Sequence, residues 1–476
     1  MKAYQVVLFL FGVFALLGIG WVATPAEGVE VAGVNLRFAS LEKMIAEASE
    51  EKVNVDSVLN AVDRRLTIQG DTLAFYRSFF TENPDRILLP NNDYTYFDPV
   101  FRAFERARRE GRTVRVKHYG DSQIEMDRIS SELRECLQRR FGGCGTGMFP
   151  VLGNVPSASI SKYAEGALAH YTMYGDSTTV RAGHNRYGVL AQVVQLGGGA
   201  TVTLRPTKSK TAKNLVRSFS SVSLLCGRTS SRFTATVVSD TLKPEPVVTD
   251  SAGVHLYRWT FPRPVQKAVL RLSGTAEIYG VATDGKGGVT VDNIPLRGCS
   301  GTIFTRISAP LMQASYALDD TELIILQFGG NYMPVARSTE VISRYQRAIA
   351  DQIRYFQKAA PNARILFIGP SDMGKSVGGR IVTWPRLPEM VDSLKNTALS
   401  CGVAYWDLYR MMGGENSMGQ WVKHNPPYAG PDYIHFTPAG ANKVGDALAR
   451  SLVTCYDFYD LRKKLPASEV RRAMKQ

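Results

Sequence analysis

The sequence predicts an α/β protein: a three-layer α/β/α domain on a mostly parallel sheet, interrupted by an inserted antiparallel β-sandwich or jelly-roll module. Strand and helix patterns alternate before about residue 157 and again after about residue 285, which implies parallel strands covered by helices on both faces. Between those points short alternating runs follow one another, separated by turn residues and without a helical period. A chain of 476 residues also exceeds what one hydrophobic core usually organises.

Residues 1–27 open with Lys2 and an uninterrupted apolar run from Val6 to Ala23. The run is long for the core of a cleaved signal and just long enough to span a bilayer. It reads as an export signal, either a cleaved signal peptide or a membrane anchor retained through residues 6–23. The rest of the chain is then expected on the non-cytoplasmic side, in the periplasm or cell envelope. Residues 28–95 read as a helical lead-in, with helical patterns at Leu41–Glu51, Val55–Arg65 and Thr72–Phe80.

The first part of the α/β domain, 96–156, holds a helix at Tyr96–Arg109, a strand at Thr113–His118 and a tight turn through Ser122. A long amphipathic helix is expected next, with Ile124, Ile129, Leu133 and Leu137 on one face. The module, 157–285, shows strand runs at Gly188–Val194, Thr201–Leu204, Val222–Leu225, Phe233–Val238, His255–Phe261 and Val265–Leu272. The second part, 286–460, alternates strands at Leu323–Phe328, Arg364–Ile368 and Val403–Leu408 with helices at Val341–Ala359, Glu389–Leu399 and Pro438–Leu452. Residues 461–476 form a basic tail.

A net charge of +14 suits an anionic partner, but the charges are dispersed and no nucleic-acid module accompanies them. A solvated basic surface is the plainer reading. The cysteines are scattered, with Cys136 and Cys144 the only close pair, and none has zinc-site spacing. His170, His184, His255 and His424 show no ligand spacing either, so neither a metal nor a cofactor is expected.

A serine hydroxyl is a poor nucleophile at neutral pH. Acyl transfer therefore needs a base beside it, a carboxylate behind the base, and donors for the oxyanion. Ser122 lies at the carboxyl end of a parallel-type strand, where open α/β folds place their sites. Asp432 and His435 lie in a turn-rich loop ending at Thr437-Pro438, a good N-cap and first-turn pair for the last helix. Gly-Asp-Ser alone is commonly a helix start, and Asp-x-x-His alone a surface turn. Their order and their context in one sheet raise their weight.

Four blocks in order resemble the SGNH (GDSL-like) hydrolase superfamily: His118-Tyr119-Gly120-Asp121-Ser122-Gln123, Val291 to Gly298, Gln327-Phe328-Gly329-Gly330-Asn331, and Asp432-Tyr433-Ile434-His435-Phe436-Thr437. By that resemblance Ser122 is the nucleophile, with His435 and Asp432 as base and orienter. Ser122, Gly298 and Asn331 supply the oxyanion hole. More narrowly, the inserted module and the stretch Tyr405-Trp406-Asp407 to Trp421 resemble exported peptidoglycan O-acetylesterases, in which a carbohydrate-binding-like β module interrupts the domain. Gln123, Tyr332 and Pro295 depart from the common blocks. Gln123, Tyr332, Met418 and Trp421 are candidate substrate contacts, although Met418 and Trp421 could equally pack the loop.

The resemblance implies a serine esterase that removes O-acetyl groups from a cell-envelope polysaccharide, above all peptidoglycan, through an acetyl-Ser122 intermediate. The same triad would serve a polysaccharide O-acetyltransferase or an esterase of acetylated plant glycans or capsule, and the linear motif does not separate these. A non-catalytic glycan-binding protein is disfavoured because every catalytic group is present.

Overall fold

The computed structural model describes residues 72–475 except 154, 210, 230, 231, 242–244 and 250, together with 29–31, 34–36 and scattered positions between 4 and 15. Two compact units divide the chain, Met1–Val53 and Asn54–Gln476. In the first, Val29–Val31 and Val34–Leu36 pair as an antiparallel hairpin, inside the span that the sequence reads as helical. Its β-branched valines favour the extended backbone. The apolar run 6–23 and the expected helices at 41–51 and 55–65 lie largely outside the described residues. Among the described residues no helix is long and apolar enough to cross a membrane.

The second unit is built on a six-stranded sheet ordered Gly288–Pro295, Thr113–Gly120, Thr321–Gln327, Arg364–Ile368, Ala404–Trp406 and Ile87–Leu88. The first five are mutually parallel, and Ile87–Leu88 closes the edge antiparallel. Helices Asp98–Arg109, Ser130–Phe141 and Pro438–Arg462 pack together as one layer, and Ala309–Leu318, Thr339–Ala359 and Leu387–Ser400 as the other. Alternation of strand and helix thus yields the expected three-layer α/β/α domain. The helix Ala467–Lys475 returns to Thr72–Thr81, where Val470 joins Leu73, Tyr76 and Phe458 in a small apolar cluster.

The inserted module is antiparallel throughout. Its order runs Val247–Thr249, Phe233–Val238, Ala268–Ser273, Gln192–Pro206, Thr275–Asp284, Phe219–Gly227 and Val254–Val265, with Gly147–Phe149 and Ile160–Thr172 as side pairings. The strand Gln192–Pro206 pairs with Thr275–Asp284 up to Gly197 and with Ala268–Ser273 from Ala200. Gly197, Gly198 and Gly199 span the change of partner, and strand glycines mark such corners. Phe219, Val222, Phe261, Leu270 and Ile278 fill the core enclosed by these strands. Its edge is not self-contained: Tyr187, Val189, Leu190 and Tyr279 belong to the same core cluster as Tyr119, Ile324 and Phe356 of the α/β domain.

Charge also crosses this junction. Arg115 pairs with Asp284 at 2.6 Å and Asp292 at 2.9 Å, and Lys117 with Asp292 at 2.8 Å and Asp319 at 2.7 Å, all essentially without solvent. Alternation in Thr113–His118 would suit a strand with one wet face. Here the module and the Asp319 turn cover that face, so the cations need buried carboxylates.

Candidate active site

Strand Thr113–Gly120 delivers Asp121 and Ser122 to the carboxyl edge of the sheet, between Gly288–Pro295 and Thr321–Gln327. A short 3-10 turn, Ser122–Ile124, follows, capped by Asp121, whose carboxylate accepts the Gln123 N–H at 2.9 Å. The turn is tight because Gly120 lacks a Cβ, which would meet the Ile124 side chain at 3.0 Å. The expected long helix from Ile124 does not form: Met126 and Asp127 take φ of 57° and 63°, and the helix begins only at Ser130. Asp127 is held by Arg134 and Ser159, and Met126 bridges to Ser157, so the break serves the junction with the module. Ser122 therefore does not sit at a long-helix N-terminus.

The second loop runs from Gly430 to Thr437. Gly430 N–H donates to the His435 carbonyl at 2.8 Å, Tyr433 takes φ of 56°, and Thr437 caps helix Pro438–Arg462 by accepting from Gly440 N–H. These constraints project His435 toward Ser122. Ser122 Oγ lies 2.8 Å from His435 Nε2, and His435 Nδ1 lies 2.7 Å from Asp432 Oδ2. Burial works against the Asp432 carboxylate, but the His435 hydrogen bond and the N–H groups of Ile434 and His435 hold its pKa below the ordinary value. A carboxylate that stays ionised fixes the imidazole tautomer and leaves Nε2 as the acceptor facing the hydroxyl.

Two side chains that the motifs do not single out as braces bind these loops together. Gln123 Nε2 donates to the Ile434 carbonyl at 2.7 Å, and its Oε1 accepts Phe436 N–H at 3.4 Å. Arg128 donates to the Ser122 carbonyl at 2.7 Å and the Phe436 carbonyl at 2.9 Å. Gln123 is thus committed to the backbone of the histidine loop. Nothing in the sequence around Arg128 signals its role, since a lone cation after the first block reads as surface.

Asn331 lines the pocket of about 670 Å³ that holds Ser122 and His435. Its amide donates to Asp121 Oδ2 at 2.8 Å and lies 3.5 Å from the Cys299 carbonyl, so its stronger bond engages one side and leaves the other N–H weakly held. Asp121 is buried, and burial raises its pKa to about 6 against the opposing Gln123 and Asn331 donors. Gly298 takes φ of 72° immediately before Cys299 but does not line this pocket. Gln123, Gln327 and Ser371 add polar groups to the lining, and Phe328, Pro334, Pro370, Met373, Trp384 and Ile434 make the apolar part of the wall.

The other candidate contacts lie elsewhere. Trp421 is fully buried, packed against Tyr428 and Phe436 with its indole N–H on the Met412 carbonyl at 2.9 Å, and Met418 is 1% exposed. Trp421 supports the histidine loop from behind, and neither residue lines the pocket, because both side chains are buried in packing. Tyr332 stacks on Tyr345 at 4.0 Å and also stands outside the pocket lining. Trp384, at the foot of the hairpin Gly374–Val377 and Arg380–Thr383, lines the pocket together with Phe328. His118 is satisfied by Ser130 at 2.9 Å and Gln327 at 3.0 Å, and burial lowers its pKa to about 4. Among the described residues no group of three or more His, Cys, Asp or Glu is placed to hold a metal ion.

Behind Ser371, Asp372 anchors the hairpin by accepting from Met418 N–H at 2.7 Å and Thr383 hydroxyl at 2.8 Å. Burial raises its pKa to about 6 despite those donors. The folded state therefore holds this proton more tightly than the unfolded chain. The resulting stabilisation is present below the ordinary carboxylate range and is lost as pH rises through about 6. Asp372→Asn should remove that dependence, so the stability difference between wild type and variant shifts toward the variant by on the order of 2 kcal/mol between pH 4 and 7. Chemical denaturation of both proteins across that range checks it, and a constant difference contradicts it.

No family model and no curated protein matches the sequence. Among solved structures, that of a peptidoglycan O-acetylesterase is similar over 75% of this chain and 96% of its own, at 21% identity and a TM-score of 0.62. A family two carbohydrate esterase from Cellvibrio japonicus is similar over 63% of this chain and 99% of its own, at 10% identity and a TM-score of 0.25, too low to carry an argument. The first likeness establishes a shared fold over three quarters of the chain.

Proposed function

We infer that the chain is a serine esterase that removes O-acetyl groups from a cell-envelope polysaccharide, peptidoglycan foremost, and that it is exported to reach it. The observation that carries this reading is the unbroken line Ser122 Oγ, His435, Asp432 at the mouth of a pocket that also presents Asn331. His435 takes the Ser122 proton as Oγ attacks the acetyl carbonyl. The Ser122 backbone N–H and the Asn331 amide stabilise the oxyanion, whereas Gly298, outside the pocket lining, could add its N–H only after its loop moves toward Ser122. The sugar C–O bond breaks with His435 returning the proton to the leaving hydroxyl, which leaves acetyl-Ser122. Water, deprotonated by His435, then releases acetate and restores the hydroxyl. The fold's likeness to a peptidoglycan O-acetylesterase supports the substrate class.

The test is to offer the protein O-acetylated peptidoglycan and acetylated hemicellulose separately, and to measure free acetate. Release from peptidoglycan at the higher rate is expected, and release from neither sinks the reading. Asn331→Ala should lower the rate by roughly a hundredfold to a thousandfold if its amide faces the oxyanion. An unchanged rate moves that role to another donor.

A further inference from the structure

A second cleft, of about 600 Å³, opens where the module meets the α/β domain. One wall comes from the nucleophile side, with Asp127, Asn293 and Pro295, and the other from the module, with Lys162, Tyr174 and Gln192. Met148, Phe149, Ile160 and Leu190 make its floor apolar. It stands close to the first pocket along the chain: Glu125, three residues after Ser122, pairs with Arg297 at 2.6 Å, and both groups act electrostatically on Tyr174 in the cleft wall.

Its charge is one-sided. Lys162 Nζ donates to the Pro150 carbonyl and has no carboxylate partner among the described residues. Asp127, the acid in the lining, is already taken, by Arg134 at 2.6 and 2.9 Å and by the Ser159 hydroxyl. Gln192 Oε1 is taken by His170 at 2.7 Å and its amide hydrogen-bonds the Tyr174 hydroxyl, which leaves one of its two N–H groups as a donor. At Gly153 a Cβ would meet Lys162 Nζ at 3.5 Å and Gln192 Oε1 at 3.7 Å, so the absence of a side chain there keeps the ammonium reachable. Burial lowers the Lys162 pKa to about 8, the mark of a cation held out of water without compensation. Ammonium and amide donors over an apolar floor fit a carboxylate carried on a short apolar stem.

We propose that this cleft is a second saccharide subsite, in which Lys162 and Gln192 bind the carboxylate of an acidic sugar in the same glycan. The proposal rests on the reading of the chain as an esterase of an envelope polysaccharide, whose acid-bearing units would be recognised here. It also gives the net charge of +14 one defined point of use, where the rest is dispersed.

The test is binding, which does not require turnover. N-acetylmuramic acid, whose lactyl ether carries a carboxylate, and N-acetylglucosamine, which lacks it, are titrated calorimetrically into the full chain. The acidic sugar should bind at least tenfold tighter, Lys162→Met should abolish that preference, and Lys162→Arg should keep it. Lys162→Met should melt no lower than wild type, since it removes an uncompensated charge. If it does not fold, Lys162→Gln replaces it. Equal binding of the two sugars, binding of neither, or a preference that survives loss of the charge overturns the subsite. Preference without acetate release from acetylated peptidoglycan keeps the subsite and sinks the esterase reading, and release without preference does the reverse.

Discussion

Ser122→Ala is expected to lower turnover of a small acetyl ester by about ten-thousandfold or more, with the fold unchanged. The hydroxyl's hydrogen bond runs to His435 Nε2, and no core contact depends on Oγ, so its removal deletes the nucleophile and little else. The thermal transition should stay within about 0.5 kcal/mol of wild type, as for a surface change. Combining Ser122→Ala with His435→Ala should add almost nothing, because the base has no role once its partner hydroxyl is gone. Ester hydrolysis at the wild-type rate in the single variant would remove Ser122 from the chemistry and leave the Asp432–His435 pair as a loop brace. Independent, multiplicative losses would mean that His435 activates something other than Ser122.

What could be read in the sequence was whatever local chemistry determines. Ser122 and His435 meet across a separation of 313 residues, and Asn331 donates to Asp121 across one of 210, yet each block carries its own turn chemistry and so announces its place. The parallel sheet follows from alternation in the same way. Side-chain direction does not. The pattern around Met418 and Trp421 is the same whether an aromatic lines a sugar site or packs a loop, and only the fold reveals that Phe436 and Tyr428 take up the indole. Trp384 went unnoticed because its hairpin has no motif. The helix expected from Ile124 failed for a related reason: Ile124, Ile129 and Leu133 are all fully buried, as the pattern requires, but positive φ at Met126 and Asp127 inserts a break that apolar spacing cannot register. Long-range pairing of Asp127 with Ser159 fixes that break.

Lys117→Met should destabilise the protein by about 3–5 kcal/mol, the usual result of removing one partner from a buried ion pair. Lys117 is fully buried between Asp292 and Asp319, and Asp292 is also bound by Arg115 and by the Met148 N–H at 2.8 Å. With Arg258 at 4.0 Å from Asp284, the cluster balances three cations against three carboxylates, so loss of Lys117 leaves it one positive charge short. Burial disfavours the Asp292 carboxylate, but Lys117 and Arg115 hold its pKa below the ordinary range, so without Lys117 two carboxylates compete for Arg115. Because Asp284 ends the last strand of the module and Asp292 lies in the next strand of the parallel sheet, the loss falls on the seam between them. Denaturation followed by far-ultraviolet circular dichroism and by tryptophan fluorescence should therefore show both moving to lower denaturant together. Adding Asp319→Asn should restore part of the loss by removing one unpaired carboxylate, a coupling that a double-mutant cycle reads directly. A Lys117→Met protein within 1 kcal/mol of wild type would mean that apolar contacts such as Tyr119 with Val189 and Leu190, rather than charge, hold the module to the sheet.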